Sequence, residues 1–200
     1  MRQSFPNALR VASILMAFPV SAFADGASDV IRIFGRDPGI EAANACFVRH
    51  YTKAHLAGHP EQNVTDMLVY VSKQEGSDPY YSLSMQVNFR QLEKPFQVSG
   101  SCGVNAEGKS ALGCGVECDG GHLGVRVKND MSLLVEIPES VRLFDPAETG
   151  DETDAELPNA ARFGSDDKLF RLDRTALKDC AAVIYDDDLK GRVLKGAITH

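Results

Sequence analysis

Between Tyr81 and Arg90 apolar and polar side chains alternate without a break. Tyr81, Leu83, Met85, Val87 and Phe89 form one set; Ser82, Ser84, Gln86, Asn88 and Arg90 form the other. A period of two puts the sets on opposite faces of an extended chain, so this is a strand with one dry and one wet face. Residues 64–73 (VTDMLVYVSK) and 95–104 (PFQVSGSCGV) are also strand-like, and the pattern continues through 110–118, 122–129, 131–138 and 140–145. Turn-forming residues separate these runs: Gly76-Ser77-Asp78-Pro79, Asn105 to Lys109, Asp119-Gly120-Gly121 and Asn129-Asp130. Short strands with turns at roughly 8–12-residue spacing predict a mainly β protein. The sheet is expected to be antiparallel and either closed into a barrel, a calycin-like one among the options, or folded as a sandwich.

Two segments read as helical. Ile40, Ala43, Phe47, Tyr51 and Ala54 recur at steps of three and four, which predicts an N-terminal helix over 40–57, stopped by Gly58-His59-Pro60. After a strand-like KLFRLD, Asp173 is placed to cap a short C-terminal helix in RTALKDC. The acidic stretch 145–167 has no period and reads as a long exposed loop. Residues 186–200 read as a flexible tail. The expected organisation is one β-rich domain over 25–185.

The first 24 residues have the order of a secretory signal peptide. Arg2 and Arg10 precede an apolar run from Val11 to Val20, and Ala22-Phe23-Ala24 offers a cleavage site after Ala24. The expected compartment is therefore periplasmic or extracellular. No later apolar run is long enough to span a membrane. Removing the signal leaves 19 basic against 28 acidic side chains, a formal net charge of −9. That balance disfavours nucleic acid and anionic membranes as partners, because both repel a net anion.

Export changes the reading of the five cysteines, Cys46, Cys102, Cys114, Cys118 and Cys180, because an oxidising compartment makes disulfides the default. If Glu107-Gly108-Lys109 forms a hairpin loop, facing residues have indices summing to about 216, and Cys102 lies opposite Cys114. A one-residue slip would put the two on opposite faces. Cys118 lies about 13 Å from Cys114 along a strand, too far to bridge it. It either pairs with Cys46 or Cys180, or is left free while those two pair with each other. The preferred scheme is Cys102–Cys114 with Cys46–Cys180, leaving Cys118 as the free thiol. Cys114, Cys118 and His122 spread over about 26 Å of strand and cannot share one metal ion.

Candidate chemistry is sparse. His50, His55 and His59 cluster in HYTKAHLAGHP, and the i, i+4 spacing of the last two suits a shared zinc or copper ion on a helix, with Glu61 or Asp66 as further ligands. No zincin glutamate follows them. The acidic runs 151–156, 166–167 and 186–188 lack the calcium-loop pattern and read as solvated. Asn63-Val64-Thr65 fits a glycosylation sequon. No nucleophile elbow, phosphate loop or dinucleotide fingerprint is present.

HLAGHPEQNVTDM, CGVECDGG and DDKLFRLDR followed by a cysteine resemble a group of small exported proteobacterial proteins of unknown function. The resemblance implies export and a bacterial source and carries no catalytic residue over. The expectation is a disulfide-stabilised, non-catalytic domain without a cofactor, binding a small molecule or an envelope protein. The alternatives are a metal protein using the three histidines and, third, a thiol enzyme using Cys118.

Overall fold

A computed structural model describes residues 26–77, 79–105, 111–148 and 157–198. The signal segment, the tip of the hairpin at 106–110 and the acidic run 151–156 lie outside the described residues.

Eight strands form one closed antiparallel barrel in chain order. They are β1 (Ala43–His50), β2 (Val64–Lys73), β3 (Tyr80–Phe89), β4 (Phe96–Val104), β5 (Leu112–Val116), β6 (His122–Asn129), β7 (Ser132–Glu136) and β8 (Leu169–Thr175). Each pairs with the next, and β1 pairs with β8 to close the ring. Closure leaves no open sheet edge. Alternation then selects the interior. Tyr81, Leu83, Met85, Val87 and Phe89 all point inward and are buried. Phe47, Phe96, Phe170, Met67 and Leu133 join them in one continuous core. An eight-stranded barrel is narrow, and these inward side chains form one contiguous buried cluster within it.

Both ends are covered. Helix α1 (Gly26–Phe34) touches β1, β4 and β6, strands on different sides of the ring, and so lies across one end. Its Val30, Ile33 and Phe34 are buried, and Phe34 stacks on Tyr81 with centroids 5.9 Å apart. At the other end Phe163 meets Phe89 and Phe170 edge-on, at 5.7 and 6.2 Å. Helix α2 (Lys53–Gly58) sits at this second end, capped by Thr52 Oγ1, which accepts from His55 N–H.

A latch covers part of the outer wall. A 3-10 helix (Leu177–Val183) and α3 (Asp187–Leu194) bury Leu177, Val183, Ile184 and Val193 against Tyr70, with Val48 and Leu68 alongside. Cys180 is bonded to Cys46 there, with Cα atoms 5.8 Å apart. Inside the barrel Cys102 is bonded to Cys114, its register partner. Cys118 is the free thiol and is exposed.

Several expectations are corrected. Residues 43–50 of the expected helix 40–57 form β1, and only Lys53–Gly58 is helical; the N-terminal helix is α1. The cause is burial on both faces: Ala43, Ala45 and Phe47 face the core while Cys46 and Val48 face the latch, so no wet face marks the period. Asp173 caps no helix. It lies in β8, and its carboxylate accepts the Ser132 hydroxyl proton at 2.7 Å. The turn that follows is a 3-10 helix starting after Ala176. Residues 140–145 form only isolated bridges, Gly121 to Val141 and Gln97 to Phe144. Residues 187–194 of the expected tail are helical, with Asp186 capping Leu189 N–H and Val193 buried.

Candidate functional site

Three features of the surface carry chemistry. The first is a shallow groove of about 370 Å³ on the outer wall, bordered by Asn105, Gly113, Gly115, His122, Gly124 and Glu136. It exists because glycines coincide across strands. Gly103 pairs with Gly113, Gly113 with Gly124, and Gly124 with Glu136. One step along, Ser101 pairs with Gly115 and Gly115 with His122. These strands therefore present backbone where others present side chains. A Cβ added at Gly103 or Gly115 would meet no atom within 4 Å, so packing does not demand glycine at either place. Tyr80, opposite Gly103, stands 70% exposed at one side of this bare strip. At the other side Glu136 is paired to Arg126 at 3.5 Å.

The second feature is a column of rings beside α2. The Arg49 guanidinium lies 4.9 Å from the centre of Tyr51, Tyr51 stacks on His55 at 4.8 Å, and His55 stacks on His59 at 4.4 Å. Burial pushes the Tyr51 phenol above its usual range, against the nearby Arg49 charge. His55 Nε2 is 3.0 Å from Gln62 Oε1, and His59 Nδ1 is 3.9 Å from Asp166. His50 is separate and pairs with Asp66 at 2.6 Å. The three histidines expected to share an ion thus each turn to a different partner. Near-parallel rings also aim their nitrogen lone pairs in parallel planes, so His55 and His59 need a ring rotation to converge on one ion. Among the described residues no group of three or more His, Cys, Asp or Glu side chains has metal-holding geometry.

The third feature is the turn Glu117–Gly120. Cys118 and Asp119 both adopt positive φ, 56° and 54°, which is uncommon for residues with a Cβ. The turn is tied to the segment after β7 through Arg142, whose Nη1 donates to Cys118 O at 3.5 Å.

The acidic runs divide by role. Asp186 is the cap of α3, and Asp166 faces His59. Asp167, expected to be solvated, is fully buried and accepts backbone N–H bonds from Asn63, Val64 and Gly164. Sequence reasoning missed it because a buried carboxylate in an acidic stretch looks like its exposed neighbours. The Asn63 side-chain amide of the sequon already donates to the carbonyls of Ala160 and Arg162, both at 2.8 Å.

No protein-family model, curated protein or solved structure matches this chain. What is established is the class: a disulfide-bonded, closed eight-stranded β-barrel domain, with no helix among the described residues long and apolar enough to cross a membrane.

Proposed function

We propose that this chain is an exported, non-catalytic binding domain that engages a protein partner of the cell envelope through its outer wall. The observation that carries this reading is the run of glycines across β4, β5 and β6, open at Gly103 and Gly115, which admits another backbone to close range. The inward side chains are buried in one cluster, whereas the strip is open at the surface, which favours the wall as the place of contact. The signal-like N-terminus and the resemblance to exported bacterial proteins support the compartment. The disulfides support it too, since they persist where the milieu is oxidising. Two measurements test this. Cell fractionation with N-terminal sequencing should find the chain outside the cytoplasm and starting at Asp25. Gly115→Val should leave the melting temperature within a few degrees, because its side chain enters open space and valine suits a strand. The same change should abolish co-purification of an envelope partner that wild type retains. Equal recovery by both chains removes the wall from consideration.

A metal-binding reading rests on one observation, the His55–His59 pair with Asp166 beside it. Purification without a histidine tag, followed by elemental analysis, decides it. Near-stoichiometric zinc or copper lost in His59→Ala supports the histidine site, and metal-free protein eliminates it.

A further inference from the structure

Lys73 is the last residue of β2 and follows Val69 and Val71 on its inward side. It is 2% exposed, and its Nζ has no hydrogen-bond partner among the described residues. Its neighbours on the two adjoining strands carry no charge. Ala43 faces it from β1, and the Ser72–Ser82 pairing places it alongside Tyr81 on β3. Tyr81 in turn neighbours Cys102 of the interior disulfide. This is the end of the barrel that α1 covers.

A second cation enters the same end from β8. Arg174 lies 4.7 Å from the ring centre of Phe47 and donates to the carbonyls of Arg32 and Ile33 at 2.7 and 2.8 Å. Those carbonyls belong to the C-terminal turn of α1, where the helix dipole is negative and acceptors are unused. Burial lowers the Arg174 pKa from its usual value, against a small opposing effect of Asp130. Asp130 itself is exposed and bonded to Arg32. The buried carboxylates Asp145 and Asp167 lie beside the starts of β4 and β8, at the opposite end. The α1 end therefore holds two cations, Lys73 and Arg174, while the carboxylates there, Asp29 and Asp130, are both engaged by Arg32. Only one of them is provided for, by a helix that covers the opening with three buried side chains.

An ammonium taken out of water without a counter-charge is unfavourable unless an anion joins it. We propose that the α1-covered end is a binding site for a monocarboxylate with an apolar tail. The carboxylate pairs with Lys73 Nζ, and the tail takes the space of the Ile33 and Phe34 side chains as α1 lifts away. Arg174, released from the two α1 carbonyls, turns to the same carboxylate. This site is distinct from the outer-wall strip and stands whether or not that strip binds a protein.

Titration calorimetry of the disulfide-intact protein with sodium decanoate, kept below micelle-forming concentration, tests the proposal, with decanol as the uncharged control. Wild type should bind one decanoate, melt higher in its presence, and show faster amide exchange at residues 30–34. Lys73→Met should bind decanoate about tenfold or more weakly, the loss of one charged hydrogen bond. Without ligand that variant should melt no lower than wild type, since the buried charge is gone. The proposal is overturned by no binding, by equal binding of decanol, or by unchanged affinity in Lys73→Met. Failure of Lys73→Met to fold also overturns it, because the ammonium would then serve a partner the fold requires.

Discussion

Asp167 ties two distant segments of this fold together. Three backbone N–H groups, from Asn63, Val64 and Gly164, end on its carboxylate inside the protein. It ties the segment before β8 to the start of β2. Close approach here also requires Gly164, where a Cβ would lie 1.9 Å from the Glu61 carbonyl oxygen. Asp167→Ala leaves the buried Val64 N–H unsatisfied and takes the acceptor from the half-buried Asn63 and Gly164 N–H groups, at about 1–3 kcal/mol for a fully buried group. The variant should lose about 1–3 kcal/mol in denaturant unfolding, and a loss under about 1 kcal/mol would show that water replaces the carboxylate. None of this was legible in the chain, because SDDKLF gives no sign of which aspartate turns inward. The inward set on β3, by contrast, could be read directly from the alternation of Tyr81 through Phe89.

At the scale of elements, the two disulfides tie very different lengths of chain. Cys102 and Cys114 are 12 residues apart on adjoining strands, whereas Cys46 and Cys180 are 134 apart and fasten the latch to β1. Loop-closure entropy makes the longer crosslink the more stabilising, at about 5 against about 3 kcal/mol in the chain-entropy model. Guanidinium unfolding of Cys46→Ala/Cys180→Ala and of Cys102→Ala/Cys114→Ala should therefore differ by about 2 kcal/mol, the first pair being weaker. An equal or reversed order would mean that packing around the shorter bridge outweighs entropy. The same latch explains the misread of β1. With Cys46 and Val48 covered by the 3-10 helix, the strand has no polar face, and Ala43, Phe47 and Tyr51 imitate a helical step. Hairpin arithmetic did locate Cys102 opposite Cys114, because consecutive antiparallel strands joined over so few residues have little choice of register.

For the molecule as a whole, carboxylates set the acid limit. The Ser132 hydroxyl bond, aided by Arg171 and Arg49, holds Asp173 below the usual carboxylate range. Asp145 is likewise lowered, first by its bond to Lys94 and then by Ala147 N–H. A folded-state pKa below the unfolded one contributes stability above the unfolded value, about pH 4. That contribution is lost as pH falls through the lower folded value. Melting temperature should therefore drop steeply below about pH 4, and Asp173→Asn should flatten part of the drop while lowering stability at neutral pH. A variant with the wild-type acid profile would exclude Asp173 as a contributor.

Local pattern determined much of this protein: strand positions from a period of two, turn positions from Gly, Asn and Asp, and the β4–β5 register from one short hairpin. These depend on residues near one another in the chain, where backbone geometry alone limits the choices. Only the tertiary structure decided the rest. Closure of β8 onto β1, the latch over β1 and β2, the coincidence of glycines across three strands, and the burial of Asp167 and Lys73 all join distant segments. Such contacts are selected by packing and desolvation in the assembled barrel, and neither leaves a period in the sequence.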